Sequence, residues 1–503
     1  MIGLDDYISI KTLRVTDLRV EPKKVRARYC VEQFSGEQDC CELIYSYHTT
    51  LFDPQKPADI NLASMMVVQV ALNYGLFCET IEFDALFDHV DRRFLEAMLE
   101  NSSREILTNK LLIDNVFVLP AFKPLVVEKQ NRYTRAKLCF AGSAAAASRL
   151  DPTTCSPNPG KYAILSSGGK DSLLTYGIIK EVGEAYPVFI NEAGRHWFTA
   201  FNSYKYFREN EPNTEKPWCN SDRVFNWMLR KLPFVRKDFA SIRADYYPVR
   251  LWTVAVFLFG VLPLVRRNAI GNILIGNEYD TTVKQTTEGI THYSGLFDQS
   301  KYFDNTMSRY YRDKGWQVRQ YSLLRSMSEL LIMKMLSTRY PDLQKNQVSC
   351  HAAHKVDGAM RPCGRCEKCR RIVGMLTVLG ADPKNCGYTG DQIRACLAAL
   401  EKQSVKQIGS DASHLYYLLL KNNLIEKNQY TERLAKRHDE ITKLRFDAQR
   451  SMLEDLPGHI REPLFARLKL YADGAVRRTA GRWQAIEIDK AYIESTPYLL
   501  DTL

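Results

Sequence analysis

The chain has 503 residues, of which 45% are hydrophobic and 25% are charged, and it carries a formal net charge of +11 at pH 7. This length predicts two or three domains, and the composition excludes a disordered chain. The positive charge is mild and suits anionic small molecules such as ATP. The sequence has neither an arginine-rich tail nor an aromatic–basic repeat, so a nucleic-acid partner is not favoured.

The chain begins without a basic or an apolar signal region, which predicts no secretory targeting. The longest apolar stretch, Leu251 to Val265, is shorter than the about 20 residues of a membrane span and predicts a buried helix instead. We therefore expect a cytoplasmic protein without a membrane partner. Its 13 cysteines are expected to be reduced.

Residues 1–141 are predicted to form an N-terminal α+β domain. Short alternating runs in Tyr7–Glu32 and Cys41–Leu51 are typical of strands, whereas the apolar spacing of Ile60–Phe77 and Asp91–Leu107 is typical of helices. Residues 142–160 combine an alanine run with Ser, Thr and Pro, which predicts a linker.

Residues 161–349 change to a strand–helix–strand pattern over Tyr162–Leu165, Asp171–Val182 and Ala185–Ile190. This βαβ unit indicates the α/β class, with a doubly wound parallel sheet. Asn272–Ile275 predicts another buried strand and Ser322–Tyr340 an amphipathic helix. The aromatic segment from Arg195 to Arg243 is expected to be an insertion near the functional site. Residues 376–503 are expected to be a helical C-terminal region.

A glycine-rich turn, Ser167-Gly-Gly-Lys-Asp-Ser172, follows the first strand of this unit and opens its helix. Backbone N–H groups at such a helix start, together with the helix dipole, bind anionic phosphate. Gly168 and Gly169 permit torsions and close approaches that a Cβ would block. The hydroxyls and the cation of the turn complete a phosphate cradle: Ser167, Ser172 and Lys170. Asp171 is interpreted as a Mg²⁺ helper or as a helix cap.

Ligands of open α/β sheets lie beyond the carboxyl ends of the strands. This rule places two further turns beside the phosphate cradle. The predicted nucleotide-binding residues of these turns are Asn191, Gly276, Asn277 and Glu278, with Glu192 and Asp280 next to them.

Four cysteines have the spacing of a metal knuckle, predicted at residues 350–375: Cys350, Cys363, Cys366 and Cys369. Four thiolates match a closed tetrahedral Zn²⁺ site, and nearby Arg and Lys side chains would offset their charge. An iron–sulfur cluster needs the same ligands and stays open as an alternative. His351 and His354 flank the first cysteine as further donors or as substrate-side groups.

The turn at 167–172 resembles the SGGxDS signature of the PP-loop ATP pyrophosphatases. It is not a Walker A loop, because Ile164 and Asp171 stand where that motif needs Gly and Ser/Thr. The resemblance implies an adenine nucleotide alpha-hydrolase-like fold, ATP and Mg²⁺ as cofactors, and cleavage of ATP to AMP and pyrophosphate.

A PP-loop followed by a cysteine knuckle resembles the 7-cyano-7-deazaguanine synthase family, which adenylates a carboxylate and converts it to an amide and then a nitrile, with structural Zn. This chain is longer, its first cysteine spacing is wider and its N-terminal domain differs. The stretches Gly276-Asn-Glu278, His292-Tyr293, Ser322–Leu330 and Ser349-Cys350 are similar to the ATP-dependent UDP-N-acetylmuramoyl-L-alanyl-L-glutamate epimerases.

Both resemblances imply that a substrate carboxylate attacks the α-phosphorus of ATP. The adenylate would then react with ammonia, or lose and regain a Cα proton. His292 is a candidate base or a structural hydrogen-bonding residue. Arg325 is a candidate substrate ligand, or forms an i,i+4 pair with Glu329. Lys170 and Asp171 are the other catalytic candidates. The expected partner is a small-molecule carboxylate, and a homodimer is expected. A tRNA-modifying PP-loop enzyme and a non-catalytic nucleotide sensor are the alternatives.

Overall fold

The computed structural model describes residues 2–141, 156–242, 247–293, 296–350, 352–407 and 409–501. It is a mixed α/β structure with a four-strand parallel sheet, a separate N-terminal sheet and a cluster of four cysteines. Within these ranges, no helix is both long enough and apolar enough to cross a bilayer.

The N-terminal region forms most of a six-stranded sheet with the order β5-β4-β1-β2-β3-β8. Strands β1, β2, β3 and β8 pair antiparallel, whereas β4 and β5 add on in parallel. The elements before residue 142 are β1 (Ile10–Glu21), β2 (Lys24–Gln33), β3 (Gln38–Ser46), α1 (Pro57–Val68), β4 (Cys78–Asp84), α2 (His89–Ile106) and β5 (Lys137–Ala141). The strands and helices predicted here are confirmed, with shifted ends. Cys30 and Cys40 face each other on β2 and β3 and form a disulfide. The prediction that all the cysteines are reduced is therefore wrong for these two.

The middle of the chain builds the parallel sheet, whose order is β12-β9-β6-β7. The strands in this part of the chain, of which β8, β10 and β11 belong to other sheets, are β6 (Asn158–Leu165), β7 (Glu184–Val188), β8 (Trp218–Cys219), β9 (Ile270–Ile275), β10 (Lys284–Thr287), β11 (Ile290–Tyr293) and β12 (Arg319–Tyr321). The helices are α3 (Lys170–Lys180), α4 (Arg195–Asn210), α5 (Ser221–Leu229), α6 (Val254–Arg267), α7 (Lys301–Asp313), α8 (Glu329–Arg339) and α9 (Pro341–Gln344). Most of the linker predicted at 142–160 lies outside the described residues, and β6 begins within its last part.

Both faces of the parallel sheet are buried, because successive side chains of a strand point to opposite faces. Ala163 and Ile273 pack with α6, α7 and the N-terminal region. Ile164 and Leu274, the next residues along, pack with α3 and α8. The parallel sheet is therefore an internal layer, which leaves its carboxyl edge as the open end.

The helix predicted at Ser322–Tyr340 begins later, at Glu329. The side chain of Ser328 caps this helix by accepting from the N–H of Leu331, and its hydroxyl donates to the Ile441 carbonyl. Residues before Ser328 cross from β12 to the helix as turns. The apolar spacing continues through Ser328, but a serine at this position marks the start of a helix, which is why the helix is shorter than the spacing predicts.

The cysteine knuckle and the C-terminal region follow. Their elements are β13 (His354–Val356), β14 (Ala359–Arg361), α10 (Glu367–Val378), α11 (Gly390–Leu400), α12 (Gly409–Lys421), α13 (Gln429–Leu434), β15 (Leu444–Phe446), α14 (Gly458–Leu468), β16 (Ala475–Thr479), β17 (Arg482–Ile486) and α15 (Lys490–Ser495). The region expected to be helical thus also holds a three-stranded sheet. The hairpin between β16 and β17 has Ala480 and Gly481 at its turn. Both residues have positive φ, as a two-residue type I′ turn requires.

Candidate nucleotide and metal sites

A cavity of about 480 Å³ lies at the carboxyl edge of the parallel sheet. This volume falls within the range of about 300–1,000 Å³ that is typical of small-molecule sites. Its walls come from the ends of β6, β7 and β9 and from helices α3, α4, α6, α8 and α10. The lining includes Ser167, Gly169, Lys170, Asp171, Ser172, Glu192, His196, Gly276, Asn277, Glu278, Glu329, Ser349, Lys368 and Arg371.

The glycine turn at 167–172 forms one wall of this cavity. Gly168 has φ of +77° and a Cβ there would lie 2.5 Å from the Thr199 carbonyl oxygen, so both torsion and space require glycine. Helix α3 starts at Lys170 with Gly169 as its N-cap, and no side chain caps its first turn. Asp171 is therefore inside the helix and does not cap it. The N–H groups of this turn remain suited to an anionic ligand.

Lys170 is buried and lies at the centre of an ion cluster. Its Nζ is 2.8 Å from Asp171, 3.0 Å from Glu278 and 3.0 Å from Glu329. Glu329 in turn lies 3.2 Å from Arg371. Three carboxylates against two cations, Lys170 and Arg371, leave an excess of negative charge if all three are ionised, which a divalent cation would offset.

The pKa values in this cluster follow burial and charge. Burial raises the pKa of Asp171 and takes that of Glu278 well above its ordinary value, although Lys170 opposes both shifts. Burial also disfavours ionisation of Glu329, but Lys170 and Arg371 outweigh it and lower its pKa to about 2. Burial raises the pKa of Asp280 to about 6, with added repulsion from Glu329 and Asp411.

The turn after β9 touches the phosphate turn directly. A Cβ at Gly276 would lie 2.8 Å from the backbone carbon of Asp171, so only glycine allows this contact. The backbone of Asn277 exchanges hydrogen bonds with the Ser322 hydroxyl, and its buried side-chain Nδ2 has no partner. Gly276, Asn277 and Glu278 thus line the cavity, where the strand-end rule places them.

Three of the predicted site residues do not line this cavity. Asn191 is outside the lining, and its Oδ1 accepts from the Ala193 N–H. His292, on β11, is also outside the lining, and burial lowers its pKa to about 3. Arg325 is buried beside Asp304, 2.5 Å away, and does not pair with Glu329 because it precedes the helix.

One wall of the cavity combines Glu192, which the strand-end rule places beside the phosphate turn, with His196 and Tyr247, which sequence reasoning missed. Glu192 is 2% exposed; its Oε1 accepts from the backbone N–H groups of His196 and Trp197, whereas its Oε2 has no partner. The His196 ring contacts the Tyr247 hydroxyl, and Arg250 stacks on the Tyr247 ring at 3.9 Å. The expectation that the insertion lies near the site is supported, because α4 lines the cavity.

The four cysteine sulfurs lie within 4.8 Å of one another. Three of the pairs are separated by 3.6, 3.8 and 3.5 Å. A tetrahedral ion with Zn–S bonds of about 2.3 Å requires sulfurs about 3.8 Å apart, so the cluster can hold one metal ion such as Zn²⁺. A multi-iron core would need more room between the ligands. His354 is exposed on β13, and His351 lies outside the described residues.

The sequence matches no protein-family model, and a search of curated proteins finds no relative. The functional conclusion therefore rests on the cavity and the metal site themselves.

Proposed function

We propose that the protein is an AMP-forming enzyme of the PP-loop class, with an adenine nucleotide alpha-hydrolase-like fold. It uses ATP to adenylate a substrate carboxylate and releases pyrophosphate. The observation that carries this proposal is the uncapped start of α3, which opens with the Ser167–Ser172 turn into a cavity at the carboxyl edge of the sheet.

The phosphate turn suits the leaving group of this reaction. Uncapped N–H groups and the Ser167 and Ser172 hydroxyls would hold the β- and γ-phosphates, which leaves the α-phosphorus exposed to the rest of the cavity. Asp171 and Glu278 would hold Mg²⁺, because a bound cation would stabilise the ionised carboxylates that burial, and secondarily the neighbouring carboxylates, disfavour. When bound, Mg²⁺ neutralises charge on the departing pyrophosphate.

The wall formed by Glu192, His196 and Tyr247 is where the acyl substrate would bind. Amide or nitrile formation and Cα epimerisation share the adenylation step and differ afterwards. His292 lies outside the lining, so an epimerase would have to use a base of this wall. In the metal knuckle, Zn²⁺ would have a structural role.

The products of ATP cleavage test the reaction class. The protein is incubated with Mg²⁺ and ATP labelled at the α-phosphate, and the low-molecular-weight fraction of a cell extract supplies the carboxylate. Labelled AMP is expected; labelled ADP would overturn the class, and unreacted ATP that binds tightly would favour a nucleotide sensor.

A second assay separates the two outcomes after adenylation. Turnover in D₂O with glutamyl substrates would place deuterium at Cα if the enzyme is an epimerase. Turnover with deazapurine carboxylates would require ammonia if it forms an amide or nitrile. If neither deuterium incorporation nor ammonia-dependent turnover is observed, the AMP-forming class still stands and both named substrates are excluded.

A further inference from the structure

Asn277 lies in the turn after β9, between two residues that contact the phosphate turn. A Cβ at Gly276, the residue before it, would lie 2.8 Å from the backbone carbon of Asp171. The carboxylate of Glu278, the residue after it, is 3.0 Å from the Lys170 Nζ. These two contacts place Asn277 beside the start of α3, and Asn277 itself lines the cavity.

The backbone of Asn277 is held by the neighbouring strand. Its N–H donates to the Ser322 hydroxyl at 3.1 Å, and this hydroxyl donates to the Asn277 carbonyl at 2.7 Å. Ser322 directly follows β12, which pairs with β9 in the parallel sheet. The turn is therefore fixed in place without any use of the Asn277 side chain.

The side-chain amide of Asn277 is buried and lacks a partner for its N–H groups. Asn277 is 3% exposed, and its Nδ2 has no hydrogen-bond partner among the described residues. Asn272, on β9 itself, is also buried, but its Nδ2 donates to the carbonyls of Pro159 at 2.7 Å and Lys161 at 3.2 Å. Because a buried donor without a partner is destabilising, an unpaired amide on a cavity wall indicates a donor that a ligand completes.

The surroundings of Asn277 favour a phosphate oxygen as the acceptor. In the proposed function the uncapped N–H groups of α3 hold the β- and γ-phosphates, and the α-phosphate follows them into the cavity. The ionised carboxylates of Asp171, Glu278 and Glu329 are acceptors only, so they cannot donate to a phosphate oxygen. Asn277 supplies a neutral N–H donor next to these carboxylates.

We propose that the Asn277 Nδ2 donates a hydrogen bond to a non-bridging oxygen of the α-phosphate of ATP. The inference rests on the proposed function, since it assumes a nucleotide in this cavity. In the adenylation step the substrate carboxylate bonds to the α-phosphorus. The bond from this phosphorus to the oxygen that bridges to the β-phosphate breaks, and its electron pair leaves with pyrophosphate. No proton moves to or from Asn277, whose N–H stabilises the negative charge of the α-phosphoryl oxygens throughout.

The first test is titration calorimetry with ATP and, separately, with inorganic pyrophosphate, each with Mg²⁺, on the full-length protein. Asn277→Ala should weaken ATP binding about tenfold, as the loss of one hydrogen bond to a charged group implies. Binding of pyrophosphate, which has no α-phosphate, should stay nearly the same. Asn101→Ala is the matched control, because Asn101 on α2 also has an unpartnered Nδ2 but is outside the lining. This variant should leave both affinities unchanged.

The two diastereomers of ATPαS, in which sulfur replaces one or the other non-bridging α-oxygen, identify the contact. Sulfur is the weaker acceptor, so the unmodified protein should bind one diastereomer more tightly than the other, and Asn277→Ala should reduce this preference. The melting temperature of the free variant should not fall, because the lost donor has no partner in the free protein. Asn277→Leu, which keeps the side-chain volume without a donor, should behave in the same way.

The outcomes separate the two proposals. If the unmodified protein binds neither ATP nor pyrophosphate, the proposed function fails. If it binds ATP but both Asn277 variants bind ATP equally well and keep the diastereomer preference, the role of Asn277 is overturned. An equal loss of pyrophosphate binding would place the contact on the β- or γ-phosphate and would contradict the inference. Variants that melt well below the unmodified protein would assign Asn277 a structural role instead.

Discussion

Two buried lysines in this molecule have similar partners but different surroundings. Lys170 lies within 3.0 Å of three carboxylates at the edge of the large cavity. Lys314 follows α7 and binds Asp88 at 2.5 Å, Asn61 at 3.0 Å and Asp91 at 3.1 Å. Both are almost fully inaccessible, so burial alone does not distinguish a functional cluster from a structural one.

The difference lies in how completely each cluster is satisfied. Asp88 also caps α2, and Asp91 also accepts from the Tyr310 hydroxyl, so the Lys314 cluster ties the N-terminal region to α7. Beside the Lys170 cluster, Asn277 Nδ2 and Asp280 Oδ1 are buried without partners. A buried ion cluster with unsatisfied polar atoms next to a cavity is suited to a ligand, whereas a cluster whose polar atoms are satisfied is suited to packing.

The largest expected effect is on catalysis, from Lys170→Ala. AMP formation should fall on the order of 10²- to 10³-fold, because a charge beside the leaving group is lost. The free energy of unfolding should change less, because Glu329 keeps Arg371 as a partner and the Asp171 side chain is 28% exposed. Product release and thermal melting are measured together, and a variant that melts much earlier yet keeps its turnover would contradict this assignment.

Lys314→Ala should show the opposite pattern. Removing one partner of a closed buried ion cluster leaves Asp88 and Asp91 uncompensated and should cost about 3–5 kcal/mol of the free energy of unfolding. Turnover per folded molecule should be unchanged. Denaturant titration gives the first quantity and AMP release the second. Loss of activity without loss of stability would show that the comparison of the two lysines is wrong.

Metal analysis extends the comparison to the cysteine site. About one Zn²⁺ per chain is expected, and Cys366→Ser should lower the metal content and the melting temperature, because metal binding supports the local fold. Cys78→Ser, at a buried cysteine of the N-terminal sheet outside the cluster, is the control and should keep the metal. A metal-free protein of unchanged stability would contradict the site, and iron in place of zinc would favour a cluster.

The smallest effect concerns Asp280, whose pKa is raised from 3.8 to about 6. A raised carboxyl pKa means that the folded state favours the protonated form, so this group's contribution to stability is lost as pH rises from about 4 to 6. As pH rises from 4 to 7, the free energy of unfolding of Asp280→Asn should therefore increase by on the order of 1–2 kcal/mol relative to that of the unmodified protein. The denaturation midpoints of the variant and the unmodified protein are measured at pH 4 and pH 7. If the two proteins differ by the same amount at both pH values, the raised pKa of Asp280 is refuted.

The sequence predicted those parts of the site that are local in the chain. The Ser167–Ser172 turn follows its strand directly, and the four cysteines lie close together in sequence, so both segments can be recognised without knowledge of the fold. The strand-end rule places Gly276 to Glu278 beside this turn, and all three residues line the same cavity.

Residues that meet only in the folded chain escaped prediction. Helical spacing gives a pair with Glu329 as one of two roles for Arg325, but the ion-pair partners of Glu329 are Lys170 and Arg371, which come from distant segments. His196 lies in the 195–243 insertion and Tyr247 just after it, and neither residue belongs to a recognisable motif. The β16–β17 hairpin was missed because its strands are exposed and charged and lack a clear apolar alternation.

The most direct test of the central claim is a crystal structure with Mg²⁺ and α,β-methylene ATP, an analogue that cannot be cleaved between the α- and β-phosphates. The β- and γ-phosphates should lie on the N–H groups of Ser167–Ser172, with the α-phosphate facing Glu192 and His196. A nucleotide bound elsewhere, or one whose γ-phosphate faces that wall, would contradict an AMP-forming enzyme.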